Sequence, residues 1–344
     1  MSARTIVSID AMGGDRGPGP LIEALAELTR RHEGLGAVLH GPEPELAPLL
    51  ACHPGLAARA RISHAEATVD MDALPADALR GGRTSSMWQA LAAVRRGEAG
   101  AALSAGNTGA LLAMSVRLLK KAQGVARPAI AVHWPADRPQ GYKTVLDVGA
   151  DIRAEPGNLA QFAVMGAEYA RLSFDHPCPS VGLLNLGTEP SKGPDWLHAA
   201  ARLTEQAADA SGRFSYAGFV EGTDLSAGPV DVIVTDGFTG NIALKAAEGT
   251  AAFVGETLRR ALTGPMLARL GALLARGALR QAQRRIDPRR VNGGVFLGLG
   301  GAVVKSHGSA DAVGFCAALD LARRMAESEL SVRVASHLRK LDMT

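Results

Sequence analysis

The chain has 344 residues, 47% of them hydrophobic and 21% charged, a balance that fits a packed globular protein and excludes a disordered or fibrous one. With 37 Lys and Arg against 34 Asp and Glu, the net charge of +3 is too small to point to a nucleic-acid partner. Three scattered cysteines without a C-x-x-C pair predict a reducing compartment and no zinc site; no apolar run reaches the roughly 18 residues of a membrane span, so a soluble cytoplasmic protein is expected.

In chain order, strands are predicted at 5–9, 37–40, 101–103, 130–133, 144–146, 181–184, 230–235 and 302–305. Helical periodicity marks 21–31, 87–96, 109–122, 159–172, 196–210, 242–262, 265–285 and 311–326. This alternation predicts an α/β protein with a largely parallel sheet and flanking helices. Glycine, at 40 residues, far exceeds the average of roughly 7%. It gathers in six loops that follow strands: IDAMGGDRGPG at 9–19, SAGNTG at 104–109, LDVGAD at 146–151, LLNLGTEPSKG at 183–193, VTDGFTGN at 234–241 and VKSHGSAD at 304–311. In an open α/β sheet such loops crowd together at the carboxyl ends of the strands, where ligands bind.

Several familiar patterns are absent: G-x-G-x-x-G after a strand, G-x-x-x-x-G-K-[ST], G-x-S-x-G and H-E-x-x-H. His64-Ala65-Glu66 lacks the downstream P-C-x-x-C of a zinc deaminase. What remains are turns of small polar residues that open helices. The 104–109 and 236–241 turns offer backbone N–H groups at helix N-termini, which suits an anion such as phosphate. The alternative is that their Ser, Asn, Thr and Asp only cap the helices. Lys is scarce, with seven in the chain. Lys192 and Lys305 fall in or beside glycine loops, where an ammonium either meets phosphate as a point charge or stays solvated. Lys245, four residues after Asn241, reaches back toward its loop or lies on an exposed face. Together the loops mark Asp10, Gly13, Gly14, Ser104, Gly106, Asn107, Thr108, Gly109, Asp147, Gly187, Asp236, Gly237, Thr239, Gly240, Lys305 and His307 as substrate-binding candidates.

These loops resemble those of the bacterial phosphate acyltransferases, which convert acyl-acyl carrier protein and phosphate to acyl phosphate for phospholipid synthesis. The matching strings are DAMGGDRGP at 10–18, SSM at 85–87, SAGNTGAL at 104–111, LDVGA at 146–150, GLLNLGTE with Lys192-Gly193, DVIVTDGFTGNIALK at 231–245 and KSHGSAD at 305–311. They follow the family's order over nearly the whole chain. Asp151, Asn292 and Ala310 depart from the family pattern. The resemblance implies one unit, residues 1–344, of two interleaved α/β lobes, similar in fold to the isocitrate and isopropylmalate dehydrogenases and assembled as a homodimer. It implies no metal and no nicotinamide cofactor, and through the SSM string it adds Ser85 to the substrate-binding candidates. It also marks Lys192 and Asn241 as the catalytic pair, with Lys192 neutralising phosphate or the developing charge and Asn241 serving the carbonyl oxygen or orienting phosphate. The amides of 106–109 and 237–240 would form the anion cradle. Two other readings stay open: a phosphotransacetylase-like enzyme acting on acyl-coenzyme A, and a non-catalytic scaffold of lipid synthesis.

Residues 255–290 form a basic amphipathic segment, expected as a protruding helical hairpin. It carries nine arginines (259, 260, 269, 276, 280, 284, 285, 289 and 290) against Glu256 and Asp287, a net of +7 that leaves −4 for the rest of the chain. Met266, Leu267, Leu270, Leu273, Leu274 and Gly277 make an apolar stripe beside the Arg row. This segment docks the acidic carrier protein, touches an anionic membrane at its inner face, where a glycerol-phosphate acyltransferase would be the downstream partner, or forms the dimer with its arginines solvated.

Overall fold

The computed structural model describes residues 4–341, apart from the side chains of residues 283–286, 288 and 290. Arg284, Arg285 and Arg290 of the basic segment therefore lie outside the described side chains. Eleven strands form one sheet: β1 (Thr5–Asp10), β2 (Leu35–Gly41), β3 (Ala60–His64), β4 (Ala101–Ser104), β5 (Ala129–Pro135), β6 (Tyr142–Leu146), β7 (Ser180–Leu184), β8 (Ser215–Val220), β9 (Val232–Val234), β10 (Gly294–Leu297) and β11 (Ala302–Lys305). The helices are α1 (Gly19–Arg31), α2 (Glu43–Ala51), α3 (Pro54–Ala57), α4 (Pro75–Gly81), α5 (Ser86–Arg95), α6 (Thr108–Leu119), α7 (Pro156–Phe174), α8 (Asp195–Ser211), α9 (Gly237–Thr263), α10 (Met266–Leu274), α11 (Arg276–Ile286), α12 (Ala312–Glu327) and α13 (Leu330–Lys340). Among the described residues no helix is long and apolar enough to cross a membrane.

The strand order is β3-β2-β1-β4-β11-β10-β5-β6-β9-β7-β8. The first five strands in this order run parallel to one another, as do the last four. Three antiparallel pairings at β10, β5 and β6 reverse the direction between these blocks. The glycine loops therefore arrive from opposite edges of the sheet, which differs from the single shared edge expected. They still meet, because the blocks are offset along the strands. Lys305 pairs with Gly294, Gly294 with Val132 and Val132 with Val145, so the end of β11 stands level with the end of β6.

Strand side chains alternate between two apolar clusters, one on each face, as the period of two requires. Ala101, Leu103, Ala129, Ala131 and Leu146 join the cluster covered by α1, α7, α8, α12 and α13. Ala102, Ile130, Trp134, Val145 and Ile233 join the cluster under α5 and α6, against which Leu244 and Ala247 of α9 also pack. Burial on both faces explains why these strands read as continuous apolar runs. The expected helix at 265–285 is two helices, α10 and α11, broken at Ala275.

Candidate active site

The first block contributes a buried carboxyl. Asp10, the last residue of β1, accepts hydrogen bonds from Ser86 Oγ at 2.6 Å and Ser104 Oγ at 2.7 Å. Burial pushes its pKa up despite these donors. A Cβ on Gly13 would stand 2.6 Å from Gly106 N and 2.7 Å from Asp10 Oδ2, so glycine lets the DAMGG loop lie against the loop before α6. Gly14 is under no such constraint, its nearest neighbour being the Phe315 ring at 3.4 Å. Ser85 is set apart from this cluster: it caps α5, accepting from Trp88 N at 3.2 Å and donating to Gly82 O at 2.6 Å. Its neighbour Ser86, unmarked in the sequence reading, makes the bond to Asp10.

Lys305 ends β11 beside the same loop. Its ammonium donates to Ala105 O at 3.1 Å and to Ser306 O, leaving one of three N–H groups for a ligand. Burial holds its pKa down at about 8. At the N-terminus of α6, Asn107 accepts from Ala110 N at 2.9 Å, and its amide nitrogen donates to Met71 O at 2.6 Å and Ala73 O at 3.1 Å. The backbone N–H groups of Thr108 and Gly109 have no partner among the described residues, and both residues line the main cavity.

The second block supplies the opposite wall. Asp147 accepts from the backbone N–H of Ile130 (2.9 Å), Gly149 (3.1 Å), Ala150 (3.0 Å) and Asp151 (2.6 Å), with burial still pushing its pKa up. A Cβ on Gly240 would collide with the Asp147 carbonyl oxygen, and one on Gly237 would stand 2.7 Å from Asp147 Oδ2. These two glycines let the first turn of α9 dock on the Asp147 loop. The cradle expected from their amides is closed. Gly237 N donates to Asp151 O at 2.9 Å, and Asp236 Oδ1 takes Phe238 N at 3.0 Å and Thr239 N at 2.9 Å, with Thr239 Oγ1 on the other oxygen at 2.7 Å. Asp236 and Thr239 thus form the cap, and Asp147 shapes the loop. Asn241 lines the cavity next to Gly149, its amide making no hydrogen bond to the described residues. Lys245, one turn on, pairs with Glu248 at 2.7 Å on the cavity wall.

Lys192 lies outside this lining. It sits on the exposed loop between β7 and α8, paired with Glu189 at 2.9 Å. A Cβ on Gly187 would stand 2.6 Å from Lys192 Cδ, so Gly187 makes room for that pair. His307 does line the cavity. Its Nδ1 meets Ser309 Oγ at 2.9 Å, and its backbone N–H donates to Asn292 Oδ1 at 3.1 Å. Asn292 also donates to Ser306 Oγ at 2.9 Å. Asp151 is held by Asn158 at 3.0 Å and is absent from the lining. Arg16 and Arg289, which the sequence reading passed over as site residues, line the cavity too, with Arg289 held by Asp287 and Asp311 at 2.8 and 2.7 Å.

The cavity encloses about 1310 Å³, above the roughly 300–1,000 Å³ of ordinary small-molecule sites. Its lining combines Lys305, the open α6 amides, Asn241, His307 and Ser309 with the apolar Ile130, Val132, Trp134, Leu244 and Ala247 and the charged Asp137 and Glu248. This fold is shared with phosphotransacetylases of known structure. The fold matches a phosphotransacetylase from Streptococcus pyogenes with a TM-score of 0.63 at 18% identity, covering 94% of this chain and 95% of that one. It matches the EutD phosphotransacetylase from Staphylococcus aureus with a TM-score of 0.60 at 15% identity, covering 94% of each. Closer relatives carry the assignment further. The family described as "Fatty acid synthesis protein" matches residues 5–333. A phosphate acyltransferase from Paracoccus denitrificans (strain Pd 1222) is 53% identical over 97% of this chain and 90% of its own length. One from Rhodobacter capsulatus is 50% identical over 98% and 84%. The chain belongs to this family of acyltransferases, the phosphate acyltransferases.

Proposed function

We propose that the protein transfers a fatty acyl group from an acyl-acyl carrier protein thioester to inorganic phosphate, giving acyl phosphate for phospholipid synthesis. The observation that carries this reading is one cavity lined by a half-buried ammonium, two open amides and, from the other block, an Asn241 amide that has no hydrogen bond among the described residues. Lys305 with Thr108 N and Gly109 N holds the phosphate, and Asn241 donates to the thioester carbonyl oxygen as charge develops there. A phosphate oxygen of the hydrogen phosphate dianion attacks the carbonyl carbon, and the C–S bond breaks. The electron pair leaves on sulfur, and the phosphate proton passes to that thiolate, so a thioester and hydrogen phosphate become an acyl phosphate and a free thiol. No strong general base is required, and positioning supplies most of the acceleration. Lys192, half-exposed outside the lining, acts in this reading as an outer cation toward the incoming anionic substrate.

The surrounding surface supports the finer parts of the reading. Met266, Leu267 and Leu274 of α10 are more than four-fifths exposed, on a segment that also carries Arg269, Arg276 and Arg280, a pattern suited to an anionic lipid surface or the acidic carrier protein. A cytoplasmic homodimer resting on the membrane and passing acyl phosphate to a glycerol-phosphate acyltransferase completes the proposal, with the two blocks as lobes of an isocitrate/isopropylmalate dehydrogenase-like unit. The test is incubation of pure protein with palmitoyl-acyl carrier protein and phosphate, trapping acyl phosphate as its hydroxamate. Formation from the carrier thioester is expected; product from palmitoyl-coenzyme A alone, or none at all, overturns the reading.

A further inference from the structure

We propose that the acyl chain lies in the groove between β5 and α9, and that Ala247 and Ala251 of α9 limit the chain length it admits. The inference rests on reading this cavity as an acyl-transfer site.

Phosphate and a thioester head fill only part of a cavity of about 1310 Å³, whose lining, alongside polar residues such as Ser226 and Glu248, carries the apolar side chains of Ile130, Val132, Trp134 and Leu244 that suit an acyl chain. Alternation along β5 turns Ile130, Val132 and Trp134 toward the α9 side, while His133 faces away and stacks on Tyr142 and Tyr169 at 4.8 and 5.3 Å. On α9, the lining recurs at Asn241, Leu244, Glu248 and Ala251, with Ala247 beside them, which is the spacing of one helix face. From Asn241 to Ala251 that face rises about 15 Å, and β5 from Ile130 to its end at Pro135 runs about 17 Å. The groove is therefore long enough for an extended fatty chain. It is continuous with the reacting end, because Lys305 stands level with Val132 through Gly294 and Asn241 opens the α9 face.

The far wall is built to stay in place. Trp134 Nε1 donates to Ser226 Oγ at 3.1 Å, and Ser226 O accepts from Asp137 N at 2.9 Å. The turn carrying Ser226 is pinned by the fully buried Lys143, whose ammonium donates to the carbonyls of Asp224 at 2.8 Å, Ala227, and Gly228 at 2.9 Å. All three of its N–H groups are thereby used on the wall. Ala247 and Ala251 line the same cavity as this indole and are the smallest side chains that α9 contributes to it.

The experiment compares wild type, Ala247→Leu, Ala251→Leu and the control Ala246→Leu, an exposed position on the opposite face of α9, with octanoyl- and palmitoyl-acyl carrier protein. Thermal unfolding verifies that each variant is folded. Displacement of a fluorescent long-chain fatty acid gives a readout independent of turnover. Since one or two methylenes in an apolar pocket are worth about 10-fold or more in discrimination, each lining variant should lower the palmitoyl-to-octanoyl ratio of kcat/KM at least about 10-fold and weaken the fluorescent acid comparably, with Ala246→Leu at wild-type values. A ratio unchanged in both lining variants, or shifted equally by Ala246→Leu, overturns the groove assignment. Binding that narrows as expected, in a protein that forms no acyl phosphate, leaves the groove standing and overturns the proposed reaction instead.

Discussion

Helices α6 and α9 both begin where a strand ends in a turn of Gly, Asn, Thr and Asp, and by sequence their N-termini are equivalent anion sites. Folded, they are opposites. The α6 cap is a neutral amide, Asn107, which spends its oxygen on Ala110 N and its nitrogen on two carbonyls of the preceding segment, leaving Thr108 N and Gly109 N open on a cavity that Lys305 also lines. The α9 cap is a carboxylate, Asp236, which takes two amides and the Thr239 hydroxyl, while Gly237 N goes to Asp151 O. A carboxylate at a helix start cancels the positive end of the helix dipole, and an amide leaves it in place. The anion end thus belongs to α6, and α9 brings a side chain, Asn241, and an apolar face.

Five measurements break or sharpen this comparison. The largest effect is expected from Lys305→Ala, with kcat/KM for acyl phosphate formation down ~10²- to 10³-fold; a loss under about fivefold would remove Lys305 from the site. Asn241→Ala should follow at roughly 10²-fold, in kcat with phosphate KM little moved. Thr108→Pro comes next: proline is tolerated at the first helical position and deletes only an N–H, so phosphate KM should rise on the order of 10-fold at an unchanged melting temperature. The same change at Gly237 should instead destabilise the fold, since that N–H is bonded and the residue is packed on Asp147. The pH profile is a smaller effect with a definite sign. Lys305 is charged below about pH 8, so phosphate KM should climb as pH rises through that value, and Lys305→Arg should flatten the climb because guanidinium stays protonated. Smallest is Asp236→Asn, which keeps an acceptor at the cap: phosphate KM should stay within about twofold, and a tenfold gain in phosphate affinity would mean that α9 was an anion site held shut by charge alone.

Much of the fold was legible because burial on both faces of a parallel strand demands a short apolar run, as in 101–103 and 302–305. The strands that escaped notice had no such run or, in β10, only a three-residue one flanked by glycines. β3 is an edge strand reading ARISH, β8 reads SYAGFV with Gly218 inside, and β10 is four residues embedded among glycines. Of the residues that loop composition and the family resemblance marked, Thr108, Gly109, Asn241, Lys305 and His307 line the cavity, whereas Asp10, Ser104 and Asn107 do not. The choice between neighbours was beyond loop composition. Nothing in Ser85-Ser86 tells which serine caps α5 and which faces Asp10. Lys192 and Lys305 each adjoin a glycine loop, yet one is paired with Glu189 in solvent and the other is half-buried, donating to Ala105 O.

By itself, then, the sequence determined the alternation of strands and helices, the six glycine loops, their family resemblance and the separation of a +7 segment from a −4 body. These are local properties, written in spacing and residue type. Only the tertiary structure decided that the loops come from opposite edges of one sheet, meet through the stagger at β10, β5 and β6, and leave one helix N-terminus open and the other closed. Those outcomes depend on which acceptor, partner strand or ammonium lies within a few ångströms of a given N–H. That proximity is set by residues far away in the chain: Met71 and Ala73 for Asn107, Ala105 for Lys305, and Asp147 for the glycines that begin α9.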